Sequence, residues 1–191
     1  MFCVEHGIDP DGTQNRSEDK KSKSLSIHKN FFFTDKASGK MVPRSIFLDM
    51  EPSSCLPPDR LEEHYRSPLD KIRTGPFRNL FGNDQLLSFN QSALTYGEAY
   101  HSDFIEDSLE GIRKINEKCD SMQGFLLFNA ISGGTGSGLS SMVLERLADE
   151  YDSKSKLAFS IYPEDFSKTS ATQNNSIVEP YNAVLHLSKL I

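Results

Sequence analysis

The feature that most constrains this chain is a glycine-rich junction, ISGGTGSGLSS, at Ile131 to Ser141. It joins an apolar run, GFLLFNA (Gly124 to Ala130), to an amphipathic one, LSSMVLERLADEY (Leu139 to Tyr151). The first run has the length and composition of a buried strand. The second repeats Leu139, Val143 and Leu147 at helical spacing. Strand, glycine turn, helix is therefore the local reading, and it repeats. Ile46, Phe47 and Leu48 in RSIFLDM (Arg44 to Met50) read as a strand, as do KNFFFTD (Lys29 to Asp35) and LAFSIY (Leu157 to Tyr162).

Helices are expected from Ser102 or Asp103 to about Cys119, with Phe104, Ile105, Leu109, Ile112 and Ile115 as one apolar stripe, and again in VEPYNAVLHLSKLI, where Pro180 sits near the first turn. Between Asp59 and Lys71 the charged stretch predicts a loop with one short helix, and Gly12 to Ser26 a polar surface loop. Strands alternating with helices imply an α/β fold, a Rossmann-like, doubly wound, mostly parallel sheet with helices on both faces. In such sheets ligands bind beyond the carboxyl ends of the strands. The glycine junction, Asp49 with Glu51, and the loop after Tyr162 all fall at such ends.

Gly133, Gly134, Gly136 and Gly138 permit positive φ and close backbone approach to a ligand. Successive amides entering a helix N-terminus attract an anion, with Thr135 and Ser137 as extra hydroxyl donors. A tight packing turn without a ligand is the alternative. The spacing excludes three named loops. A P-loop needs Lys after its last glycine, a dinucleotide fingerprint needs Gly or Ala at 139, and both meet Leu139. A nucleophile elbow around Ser137 needs glycines where Thr135 and Leu139 stand.

Composition removes other classes. A net charge of -6 and pI near 5.4 argue against a general nucleic-acid or acidic-membrane binder. With a mean hydropathy of -0.48, no apolar run approaches the roughly 20 residues that cross a bilayer. Three widely spaced cysteines and five histidines form no zinc pattern.

GGTGSG after an apolar strand resembles the signature loop of the tubulin/FtsZ superfamily. VEHGIDPDG, VPRSIFLDMEP, IRTGPFRNLF, DQLL, GIRKINEKCDSMQGFLLF, LERLADEYDSKSKLAFSIYP and VEPYN resemble successive tubulin segments in order, most like the α type. The resemblance implies a partial GTP-binding domain over residues 1–191, with GTP and Mg²⁺ as cofactors. It implies a phosphate loop of Gly133, Gly134, Thr135, Gly136 and Ser137. Asp49 and Glu51 match the acidic pair on the magnesium and phosphate side, with Glu51 as metal residue; Asn175 and Glu179 match the ribose side. It further implies a microtubule subunit of the cytoplasm and cytoskeleton, with a β-tubulin-like partner and no nucleic-acid or membrane partner.

Hydrolysis in this family depends on an acid from a later domain, so no catalytic residue is expected within this chain. Lys20 lies nearest to the family's acetylatable lysine. Departures point the other way. The family's opening strand and first nucleotide loop are not matched, and its second phosphate loop reads SFNQSALTYG (Ser88 to Gly97). Ala130 replaces a hydroxyl, the loop after Pro163 is longer, and extra residues lie between Pro52 and Arg73. A fragment that has lost GTP binding and polymerisation, and an FtsZ-like self-assembling GTPase, are the alternative expectations.

Overall fold

The computed structural model describes residues 2–13, 31–36, 39–50, 67–89, 91–162 and 177–190. They divide into two compact units, Met1–Phe89 with Glu110–Asp120, and Asn90–Leu109 with Ser121–Ile191.

The first unit opens with a single helical turn, α1 (Phe2–Glu5). A hairpin of β1 (Phe33–Asp35) and β2 (Met41–Pro43) follows, antiparallel with Thr34 opposite Val42. β3 (Phe47–Asp49) pairs in parallel with β4 (Leu86–Ser88), Leu48 opposite Leu87. Ile8, Phe33, Met41 and Leu80 form the buried cluster, with Cys3 and Phe81 packed against it. Gly12 has φ +85 and gives its carbonyl to the Met41 amide at 2.8 Å. A side chain there would run into the Met41 carbonyl, so glycine is required.

Buried Gln85 bonds the strand ends of this unit together: its Nε2 donates to Pro43 O at 2.6 Å and Ser45 O at 2.9 Å, while Oε1 accepts from the Gly82 amide. Between β3 and β4 runs α2 (Pro68–Thr74). Ser67 caps it through Leu69 N–H, and Pro68 occupies the first turn, where its missing N–H costs nothing.

The second unit is built on a longer parallel pair, β5 (Gly124–Ala130) and β6 (Ser155–Ile161), in register from Gly124 opposite Ser155 to Ala130 opposite Ile161. α3 (Tyr96–Tyr100) starts with a capping box in which Thr95 accepts from Glu98 N–H and the Glu98 carboxylate accepts from Thr95 N–H. Those bonds hold the Glu98 carboxyl below its usual value. α4 (Phe104–Glu117) belongs by its first half to this unit and by its second half to the other. α5 (Ser140–Glu150) connects β5 to β6, and α6 (Glu179–Leu190) follows.

Helical periodicity predicted the buried faces well. Phe104, Ile105 and Ile112 of α4 are buried and Leu109 and Ile115 half-buried, while α5 buries Val143 and Leu147 next to buried Leu139. Strand periodicity was harder to read. β2, β4 and α3 were not expected, because three-residue strands and a five-residue helix leave too short a pattern. Of the strands expected at Lys29–Asp35 and Arg44–Met50, the described residues form strand at Phe33–Asp35 and Phe47–Asp49, while Lys29 and Asn30 lie outside the described residues.

Among the described residues, Leu126, Phe128, Leu157, Phe159 and Ile161 line an exposed face of β5 and β6. Phe128 and Phe159 stack there with ring centroids 5.0 Å apart. The alternate residues, Phe125, Leu127, Asn129, Lys156, Ala158 and Ser160, point to the covered side.

Candidate functional site

At the end of β5 the chain passes Ile131 and Ser132 and enters a helix at once. Thr135–Leu139 is a π-helical turn that runs straight into α5. Such wide turns are uncommon and recur at functional sites. The first amide to find an acceptor inside this segment is Ser137 N–H, bonded to Gly133 O at 3.0 Å. The amides before it are the ones a helix leaves without an internal partner, at the positive end of its dipole.

The four glycines do different jobs, and none uses a positive φ. That corrects the expectation that conformational freedom explains them. A methyl group on Gly134 would strike the Ala93 carbonyl and lie 2.8 Å from the Leu94 carbonyl carbon. On Gly136 it would overlap the Ala130 carbonyl, and on Gly138 it would strike the Tyr96 carbonyl and lie 2.8 Å from the Ala99 side chain. These three glycines let the turn press against the end of β5, against α3 and against the segment before α3. Gly133 is exposed, with no atom within 4 Å of where a side chain would start. It alone presents open backbone.

Ser137 also departs from its expected part. It is fully buried, and its hydroxyl donates to Gly133 O at 2.7 Å, with Gly134 O at 3.3 Å, instead of facing a ligand. Thr135 and Gly136 are half-buried.

Beneath the turn lies a polar network that sequence reasoning did not pick out. Asn129, an inward residue of β5, has its amide nitrogen 2.7 Å from Gly136 O, 3.1 Å from Ser140 Oγ and 3.1 Å from His186 Nε2. Its Oδ1 accepts from Ser160 Oγ, on the β6 residue directly across the ladder, at 2.9 Å. His186 Nδ1 lies 3.0 Å from Ser137 O and 2.8 Å from Ser141 Oγ. A carbonyl only accepts, so Nδ1 carries the proton, and Nε2 is the lone pair that receives the Asn129 amide. Burial disfavours the charged imidazolium and pushes the His186 pKa down; the Ser137 carbonyl partly offsets this. The legible signal was a polar residue at an inward position of an otherwise apolar strand, and a second at helical spacing from Asn182.

Comparison with known proteins bears on what such a turn serves. A family model described as Tubulin/FtsZ family, GTPase domain, matches residues 1–191. The chain belongs to the Tubulin/FtsZ family. Its relatives include the "Tubulin alpha-2 chain" of Eleusine indica, 38% identical over 198 residues, covering 100% of this chain and 39% of that one. The "Tubulin alpha-1 chain" of Arabidopsis thaliana is 38% identical over 195 residues, 100% of this chain and 38% of the relative. The "Tubulin alpha-2 chain" of Emericella nidulans is 39% identical over 191 residues, 97% and 37%. The chain thus spans under two fifths of the length of these curated relatives.

Membership of the Tubulin/FtsZ family accounts for the α/β class and the parallel β3–β4 and β5–β6 pairs. Of the residues read from sequence, Gly133, Gly134, Thr135, Gly136 and Ser137 lie together at the head of α5. Glu179 is half-buried at the first position of α6 in the same unit. Asp49 ends β3 in the other unit, where its Oδ2 accepts from Ser67 Oγ at 3.1 Å. Glu51, Asn175 and Lys20 lie outside the described residues, as do most of the extra residues after Pro52 and the loop after Pro163. Ala130, read as a departure from the family pattern, is exposed at the last position of β5. Among the described residues no cluster of three or more His, Cys, Asp or Glu forms a protein-only metal cage, and no helix is long and apolar enough to cross a membrane.

Proposed function

We propose that the chain binds guanine nucleotide with Mg²⁺, through the amides of Gly133, Gly134, Thr135 and Gly136. The observation that supports this best is the head of α5. A 16-residue continuous helical segment, Thr135–Glu150, begins with amides that have no backbone acceptor among the described residues, beside the exposed glycine of the turn, in a chain of the GTPase-domain family. The donor set suits a phosphate, because backbone N–H groups at a helix N-terminus supply directional donors and a favourable dipole. Ser137 belongs to this loop as a brace of its backbone, its hydroxyl holding the Gly133 carbonyl.

Asp49 and Glu51 form the magnesium side, with Glu51 as metal residue. Carboxylates suit a hard cation that keeps several waters. Asn175 and Glu179 form the ribose side. GTP when bound would bring the hydrolysable phosphoanhydride, and no hydrolytic group is assigned to this chain. For assembly we propose what the resemblance to the α type implies: a cytoskeletal subunit of the cytoplasm, joining a β-tubulin-like partner in a microtubule lattice.

Titration with a fluorescent GTP analogue, with Mg²⁺ and then with excess EDTA, tests the nucleotide reading. Saturable binding in the micromolar range that weakens at least tenfold on chelation is expected. No binding at about 100 µM nucleotide, a free energy short of about -5.5 kcal/mol, would refute it. That result would favour a chain that keeps the loop's fold without its ligand.

A further inference from the structure

The helix α6 carries two fully buried polar side chains one turn apart, Asn182 and His186, and both bond the glycine turn through its carbonyl groups. Asn182 Nδ2 donates to Ser132 O at 3.0 Å and Leu94 O at 3.1 Å, while its Oδ1 accepts from Tyr96 N–H at 2.8 Å. One amide thereby joins the entry of the glycine turn to the segment that leads into α3. His186 Nδ1 holds the Ser137 carbonyl, and His186 Nε2 fixes the Asn129 amide that holds the Gly136 carbonyl.

Peptide planarity gives these bonds a direction. In a trans peptide the C=O of one residue and the N–H of the next point oppositely across a rigid plane. Holding the Ser132 carbonyl inward therefore turns Gly133 N–H outward. Holding the Gly133 carbonyl, as Ser137 Oγ and N–H do, fixes the direction of Gly134 N–H in the same way, at a residue that is itself buried. His186 and Asn129 secure the far end of the turn, where the π-helical backbone has lost its regular spacing and side chains supply the missing donors.

We propose that Asn182 and His186 are positioning residues of the phosphate loop, Asn182 aiming the Gly133 amide and His186, through Asn129, holding the wide turn open. The proposal rests on the nucleotide reading above. It identifies α6, which also carries Glu179 at its start, as the element that sets the loop's geometry before any ligand arrives. Preorganised donors lose little freedom on binding, so their loss shows as reduced affinity in a protein that still folds.

The test uses the full chain and two substitutions, Asn182→Leu and His186→Phe. The first keeps the volume and removes the donors to Ser132 and Leu94 without burying a charge. The second keeps shape and removes both ring bonds. Each is expected to weaken binding of the fluorescent GTP analogue about tenfold, the worth of a lost hydrogen bond. Hydrogen exchange should accelerate at residues 137–141 and stay unchanged in β6. His186→Asn, whose amide nitrogen replaces Nδ1 as donor to Ser137, should recover most of the affinity, which a general loss of stability would not allow; it also serves if His186→Phe does not fold. Wild-type affinity in folded variants overturns the proposal. If the unsubstituted chain binds no nucleotide, the functional reading fails on its own. Exchange then decides the positioning claim: faster exchange confined to 137–141 supports it, and unchanged exchange overturns it.

Discussion

Gly133 and Gly138 stand five residues apart in one loop, and the structure assigns them opposite sensitivities to the same substitution. In Gly138→Ala the added methyl would meet Ala99 Cβ at 2.8 Å and Tyr100 N at 2.9 Å, besides striking the Tyr96 carbonyl. All three obstacles are backbone or Cβ atoms of α3, and none can swing away as a flexible side-chain tip does. Overpacking of this kind costs about 1–3 kcal/mol, and a rigid backbone places it in the upper part of that range. The gain from exchanging glycine for alanine inside a helix offsets at most about 1 kcal/mol. A net loss of about 1–2 kcal/mol remains.

For a chain of 191 residues, each kcal/mol lowers the melting temperature by about 2–4 °C. In Gly133→Ala the new methyl meets no atom within 4 Å, and φ there lies outside the left-handed region, so stability should be unchanged or about 0.4–1 kcal/mol higher through the unfolded chain. Differential scanning calorimetry of both variants, with the nucleotide titration alongside, reads the contrast. Gly138→Ala should melt lower; Gly133→Ala should melt at or above the unsubstituted chain yet bind nucleotide more weakly, because its methyl stands on the open backbone. A Gly138→Ala chain that melts as well as Gly133→Ala would refute the reasoning from close contacts.

The other predictions concern buried polar groups. His186 has a folded-state pKa below the ordinary histidine value of 6.5, so between the two values the unfolded chain binds more protons and stability rises with pH. Its contribution is complete above about pH 6.5 and is lost as pH falls through the folded value; urea midpoints between pH 7.5 and 5 should fall, and less steeply in His186→Asn. Asn129→Asp leaves Gly136 O without that donor and puts a carboxylate beside it, so a loss of about 3 kcal/mol or more is expected by urea denaturation at pH 7.5. Ser67→Ala removes the cap of α2 together with the donor to Asp49, and should cost about 1 kcal/mol.

Long periodic segments were legible. The extents of α4, α5 and β5, and the stripe Leu139, Val143 and Leu147, follow from apolar spacing sustained over seven residues or more, while β6, expected at Leu157–Tyr162, runs from Ser155 to Ile161. The three-residue strands were not legible, since their pairing depends on partners distant in sequence, as Leu48 on Leu87. In the site the location of the loop was legible and the work of its residues was not. Glycine spacing is the same whether a glycine faces a ligand or a carbonyl, and only coordinates separate Gly133 from Gly134, Gly136 and Gly138. The hydroxyl of Ser137 read as a ligand donor for the same reason: sequence does not say which way a short polar side chain turns.

That distinction changes how the loop relates to its family. Three of its glycines and its serine face the protein, so their presence reports a way of packing a helix head against a strand end and α3. A chain can keep GGTGSG for the stability of its second unit whether or not a nucleotide binds. On the proposed nucleotide reading, the groups that bear on binding are the backbone amides from Gly133 to Gly136, with Gly133 the exposed one, and whatever fixes their direction. Those fixing groups, Asn182, His186 and Asn129, lie 45 or more residues away in sequence or on the strand before the turn, and glycine spacing carries no trace of them. On the proposed nucleotide reading, binding depends on these three side chains as well as on the motif, because a loop with every glycine in place and its carbonyls released would present the same sequence and no fixed donors.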